Sequence, residues 1–269
     1  MQQAIRAAAA EPSADEIRAP SAFMMLLEAR APWEYGAALA AMPWLRDAPR
    51  GDGHPVLVLP GLAANDISTF PLRQFLQQRG YAPEPWNYGF NFGPQPGILA
   101  GCIEHVKELH QLHGRRVSLL GWSLGGIYAR EIAKAVPKLS RCVITLGTPF
   151  TGNPKATNAW RLYEKISKQK IGGAKIQQQI ATAPPVPTTS LYSKTDGIVA
   201  WQCSLNPPGR RTENIEITAS HMGMGLNPMA MYAIADRLAQ PEGKWRPFEV
   251  SGARKWFFKS GVPPAAAAE

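Results

Sequence analysis

Ser123 lies in GWSLGG (residues 121–126), directly after the apolar run at 117–120 and before IYAREIAKAV. A serine between two glycines at this spacing suits a nucleophile held on a sharp turn from strand to helix. Such a turn holds the serine in a sparsely populated backbone conformation, a strain of about 1–3 kcal/mol. Gly121 and Gly125 remove side chains that would collide across the bend, and Gly126 lets the following helix approach the sheet. The string alone is not specific, and a plain helix cap before Leu124 is the other reading of Ser123. A serine hydroxyl is a poor nucleophile without a base, so the histidines and acids must decide.

Five histidines compete for that role. His54 precedes the first expected strand, at the wrong end of a sheet for chemistry. His105, His110 and His113 share one expected helix, and no carboxylate or cysteine motif completes a metal site there. His221 follows the strand-like NIEITAS in ITASHMGMGLNP, at a carboxyl end, where open α/β sheets place their ligands. For the acid, Asp196 follows TTSLYS in the loop SKTDGIV; an ordinary Asp-Gly turn is the alternative. Asp66, Glu213 and Asp236 are poorer placed, respectively near the first loop, before a strand and within a helix. Ser123, Asp196 and His221 therefore arrive in the order Ser, Asp, His, each just beyond an expected strand.

The elements that must carry these residues are an alternation. Residues 54–60 (HPVLVLP), 116–122, 141–147, 188–193 and 214–220 read as strands, with 81–88 a broken or edge strand. Residues 67–80, 97–114, the stretch after Ser123 as far as Pro137, and 228–240 read as helices. That order builds a mainly parallel sheet flanked by helices. Residues 21–50 form a helical segment in which Pro32 breaks, and Pro43 ends, short amphipathic helices. Residues 1–20 read as a flexible arm and 241–269 as an extension with a disordered end. The segment 151–187 carries six Lys or Arg against the single acid Glu164 and is an insertion between two sheet strands.

Composition narrows the classes further. The chain has 269 residues, 45% hydrophobic and 18% charged, with 25 Pro and 24 Gly, enough for a substantial core with many turns. Its formal charge of +9 lacks any Arg/Gly-rich tract, zinc pattern or basic recognition helix, so nucleic acid is not an expected partner. Contact with an anionic membrane surface is one use of that charge, and solubility is the other. Cys102, Cys142 and Cys203 are odd in number and show no metal-type spacing, which suits free thiols. The N-terminal alanine run is too short and too weakly apolar for a signal peptide, and no run approaches a membrane span. The expectation is a cytoplasmic protein, with peripheral membrane contact open.

GWSLGG, TLGTPFTG (145–152), YSKTDGIV (192–199) and ASHMGMGLNP (219–228) together resemble the α/β-hydrolase superfamily, and most of all its bacterial lipase and esterase branches. The resemblance covers roughly residues 53–240. It implies an α/β-hydrolase fold with its core at 51–150 and 188–240, and a helical cap or lid at 151–187. It also implies Ser123 as nucleophile, His221 as general base and then acid, and Asp196 as the group that orients and stabilises the imidazolium. The backbone N–H groups of Leu62 and Leu124 would form the oxyanion hole. Pro60 stands where the commoner lipase pattern has histidine, a departure in the shape of that loop. An acyl pocket is expected from Tyr88, Phe90 and Phe92, roofed by Trp160 with Leu162, Tyr163 and Ile166. The implied activity is hydrolysis of small-molecule or lipid esters with hydrophobic acyl groups through an acyl-enzyme, with no metal or organic cofactor. An acyltransferase or thioesterase using the same three residues is the alternative, and a binding protein that keeps the fold without catalysis is the third reading.

Overall fold

Along β1 (Pro55–Leu59) every residue is buried, with Val56 and Val58 in one hydrophobic cluster and Leu57 and Leu59 in another. A strand apolar on both faces must be covered on both, which is the condition of a parallel sheet between two helical layers. The computed structural model describes residues 16–260 and shows that arrangement. Six parallel strands run in the order β2 (Ala82–Pro85), β1, β3 (Val117–Trp122), β4 (Ser140–Leu146), β5 (Thr188–Tyr192) and β6 (Thr212–Glu216). A short β7 (Lys259–Ser260) closes the β6 edge in antiparallel sense.

Leu72, Phe75 and Leu76 of α4 (Asp66–Gln78) and Ala230, Met231 and Ile234 of α9 (Pro228–Leu238) cover the Val56 face. Cys102, Val106 and Leu109 of α5 (Ile98–His113) and Ala129, Ile132 and Ala133 of α6 (Leu124–Ala135) cover the Leu57 face. The order 2-1-3 means that the chain leaves β1 on one side and returns on the other. The crevice beyond the carboxyl ends of β1 and β3 is therefore the topological switch point. Leu62 and Ser123 follow those two ends.

The segment before the sheet forms α1 (Ala22–Leu26), a 3-10 turn (Leu27–Arg30), α2 (Ala31–Ala40) and α3 (Met42–Leu45). Pro32 and Pro43, expected to break and end helices, instead open α2 and α3 from their first turns, where a missing N–H costs nothing. Ala38, Leu45 and Ala48 anchor the segment in the core. Residues 16–20, expected within a flexible arm, are docked: Ile17 is buried with Ala156, Val199 and Cys203, and Asn158 Nδ2 donates to Pro20 O at 3.1 Å. The rest of the expected arm and the alanine-rich end lie outside the described residues.

Over the carboxyl ends sit α7 (Trp160–Ser167) and α8 (Ala174–Ala181), both from the basic insertion. Arg130, fully buried on α6, donates to Ala181 O at 2.9 Å and Asn206 Oδ1 at 2.7 Å, and its guanidinium lies 3.8 Å from the Phe150 ring centroid. Burial lowers its pKa to about 10, and the carbonyls ending α8 are a favourable place for a cation. This ties the rear of the two-helix roof to the sheet layer. Strand β6 ends at Glu216 rather than near residue 220, leaving 217–220 to carry the His221 loop. Among the described residues no helix is long and apolar enough to cross a membrane.

Candidate active site

Ser123 has φ 52° and ψ −121° and makes no side-chain capping hydrogen bond to α6. The helix-cap reading therefore fails on geometry: the side chain is not used by the helix it precedes. Glycine is needed on both sides. A Cβ at Gly121 would lie 2.4 Å from Gly125 O, and one at Gly125 would lie 2.3 Å from Leu59 O and 2.6 Å from Pro60 O. The start of α6 is thus pressed against the end of β1 by backbone contacts that tolerate no methyl group.

The same approach sets the loop after β1 beside the serine. A Cβ at Gly61 would come 3.3 Å from Ser123 Cβ. Among the described residues neither the N–H of Leu62 nor that of Leu124 has a hydrogen-bond partner, and Leu124 opens α6, where N–H groups are free by position. Asn91 holds this loop in shape. Fully buried, it donates from Nδ2 to Pro60 O at 2.8 Å; its backbone O accepts from Ala63 N and its N donates to Ala64 O, both at 2.8 Å. Pro60 thus takes part in a defined turn. In the sequence, the only signal of Asn91 is a polar residue between Phe90 and Phe92.

Asp196 and His221 meet from the ends of β5 and β6. His221 Nδ1 lies 2.7 Å from Asp196 Oδ2, and Asp196 Oδ1 accepts from Ile198 N and Val199 N at 2.8 Å each. Both side chains are almost wholly buried. Burial works against protonation of the His221 ring, but the charge and hydrogen bond of Asp196, with the charge of Glu28, outweigh it and raise its pKa. Gly147, at φ 52° after β4, leaves the room the pair occupies: a Cβ there would be 3.0 Å from both Asp196 Oδ2 and His221 Nδ1. Trp122 fixes the histidine loop from the serine side, its Nε1 donating to His221 O at 3.0 Å. Ser123 Oγ has no hydrogen-bond partner among the described residues.

Ser123, Leu62 and Leu124 line a cavity of about 380 Å³ between the sheet ends and the roof, its wall largely apolar: Leu99, Ile127, Pro149, Trp160, Tyr163, Ile176 and Ile180. The size is that of a small-molecule pocket. Trp160 lines it as expected. Tyr88, Phe90 and Phe92 do not. Positive φ at Asn87 and Gly89 turns their loop outward, where Phe90 and Phe92 stack on each other at 54% and 45% exposure and Tyr88 packs by Gly101. From the roof, Leu162 is exposed and Ile166 lies off the lining, while Ile176 and Ile180 of α8 supply the apolar underside with Tyr163.

The remaining candidates are structural. Asp66 accepts from Trp86 N, Glu213 and Asp236 pair with Arg237, and His110 Nδ1 lies 2.8 Å from Arg115 O. His54 forms a second array of the same residue types, 2.6 Å from Asp52 Oδ1 and 2.8 Å from Ser118 Oγ. His54 and Ser118 are completely buried, and burial pushes the His54 pKa down to about 4. Among the described residues no group of three or more His, Cys, Asp or Glu side chains is placed to hold a metal ion.

Residues 56–256 match the model of the alpha/beta hydrolase family. The serine hydrolase BPHL of Mus musculus is 31% identical over 107 residues, 36% of this chain and 37% of the mouse protein. A triacylglycerol lipase of Burkholderia plantarii is 28% identical over 130 residues, 44% of this chain and 36% of the lipase. The match thus spans little more than a third of the length of these relatives. In three dimensions, lipase B of Aspergillus fumigatus shares the fold, with a TM-score of 0.56 at 17% identity over 71% of this chain and 53% of that one.

Proposed function

The chain belongs to the alpha/beta hydrolase family, and from that premise we propose that it hydrolyses carboxylic esters through Ser123, His221 and Asp196. The observation that carries this reading is the setting of Ser123: strained at φ 52°, unused by its helix, and lining an apolar cavity together with two residues whose N–H groups have no partner among the described residues. Support comes also from the buried Asp196–His221 pair and from the relatives named a serine hydrolase and a triacylglycerol lipase.

In this reading Ser123 Oγ attacks the ester carbonyl carbon and passes its proton to His221 Nε2. Negative charge developing on the carbonyl oxygen is met by the N–H groups of Leu62 and Leu124. His221 returns the proton to the departing alcohol oxygen, leaving an ester on Ser123. Water, deprotonated by the same imidazole, then attacks the acyl carbon and releases acid and free enzyme. Asp196 keeps Nδ1 protonated, so that Nε2 is the basic nitrogen, and balances the imidazolium charge. The apolar wall under α7 and α8 favours an aliphatic acyl chain over a charged one.

The test is hydrolysis of a series of p-nitrophenyl esters of increasing acyl length. The reading expects turnover that peaks where the chain fills the cavity, and loss of at least about 10³-fold with Ser123→Ala. Turnover unaffected by Ser123→Ala would contradict it.

A further inference from the structure

The segment preceding the sheet lies outside the span that matches the family, which begins at residue 56, yet it reaches both loops that carry the acid and the base. Glu28 Oε1 accepts from Gly197 N at 2.7 Å and from His221 N at 2.9 Å, and its Oε2 accepts from Met222 N at 2.9 Å. One carboxylate therefore ties the residue after Asp196 to His221 itself. Two further side chains reinforce the grip. Arg30 Nη2 donates to Thr195 O and Thr195 Oγ1 at 2.8 Å each, and Glu34 Oε1 accepts from Ser220 N at 2.6 Å and from Arg30 Nε at 3.0 Å.

The two loops are shaped to receive this segment. A Cβ at Gly197 would lie 2.2 Å from Met24 O, and one at Gly223 would lie 2.3 Å from Glu34 Oε2. Each loop thus carries a glycine where the segment crosses it, in TDG and in HMG.

We propose that residues 22–45 act as an intramolecular strap that sets the acid–base pair, with Glu28 as its positioning residue. The proposal rests on the reading of Ser123, His221 and Asp196 as the reacting trio. Glu28 acts through backbone, by fixing the distance between the Asp196 and His221 loops. It also acts through charge, because it is the second carboxylate near the imidazole. The charges acting on that ring are Asp196 from the β5 loop and Glu28 from the strap, with the Arg30–Glu34 pair on the adjoining backbone of Thr195 and Ser220. The ends of β3 and β4 contribute the uncharged Ser123, Trp122 and Gly147.

The test compares Glu28→Gln and Glu28→Asp with the wild type, by ester hydrolysis over a range of pH and by the rate of labelling with a fluorophosphonate. Glu28→Gln keeps the shape but loses the charge and turns an amide donor toward backbone N–H groups. The expected result is a fall in kcat of about tenfold or more with KM within about twofold, since the substrate cavity is untouched. The acid limb of kcat/KM moves to lower pH, because removing an anion lowers the pKa of His221. Glu28→Asp keeps the charge one methylene further back, so its limb stays near that of the wild type while kcat falls less. Should Glu28→Gln fail to fold, Glu28→Ala takes its place, with the same loss of kcat and the same downward shift of the limb expected. Glu28 variants with wild-type kcat and an unmoved limb overturn the proposal, as does a kcat loss in Glu28→Gln whose acid limb stays fixed, which would make Glu28 a structural support alone. Failure of the wild type itself to label at Ser123 overturns the underlying reading instead, and the strap proposal with it.

Discussion

His221 is held between opposing demands. Burial disfavours its charged form, while Asp196 and Glu28 favour it, and the balance raises its pKa above the ordinary histidine value. A base must be neutral to accept the serine proton. Because the pKa is raised, the neutral form is lost as pH falls through a value higher than that of a free histidine. The prediction is an acid limb of kcat/KM with its midpoint above about pH 6.5. Asp196→Asn should shift that midpoint downward and reduce turnover by roughly 10³–10⁴-fold, since the amide no longer fixes the productive tautomer. Steady-state rates across pH for both proteins check it, and an unmoved midpoint would detach Asp196 from the base. Trp122 also gains a role at this scale: beside Ser123 in sequence, it fixes the backbone of His221.

Among the elements, the loop from Pro60 to Ala64 is held by one residue. Asn91 joins it by three hydrogen bonds of 2.8 Å, two of them through backbone. Asn91→Ala removes the donor to Pro60 O and loosens the loop that carries the N–H of Leu62, the proposed oxyanion donor. A fall in kcat of about 10–100-fold with little change in KM is expected, and unchanged kcat in a folded variant would exclude Leu62 as an important donor. The strands and helices of the sheet were legible because apolar runs and 3.6-residue patterns are local. The meeting of Asp196 with His221 was legible for a related reason, since each stands a few residues beyond such a run. Asn91 and Glu28 were not, because their partners are set by tertiary approach: Glu28 bonds to residues 169 to 194 positions away. The aromatic run at 88–92 misled because hydrophobicity alone does not reveal the positive φ at Asn87 and Gly89 that turns it outward.

Taken as a whole, the molecule places the same three residue types at both ends of one sheet. Asp52, His54 and Ser118 gather at the amino ends of the strands, with Cys142 Sγ 3.4 Å from Ser118 Oγ, and every polar atom of the His54 ring is engaged. Ser123 and the His221–Asp196 pair follow the carboxyl ends of β3, β6 and β5. Residue types do not separate the two. Access does, for Ser118 and His54 are fully buried whereas Ser123 lines the cavity. The sheet direction, set by parallel pairing and the 2-1-3 strand order, decides which array lies at the switch-point crevice. The proposal that Ser123 is the nucleophile is open to covalent labelling. The folded protein is treated with a fluorophosphonate and the modified residue mapped by peptide mass spectrometry. One adduct is expected, on Ser123, absent after heat denaturation and in Ser123→Ala, with Ser118 untouched. An adduct elsewhere, or none on the folded wild type, would contradict it.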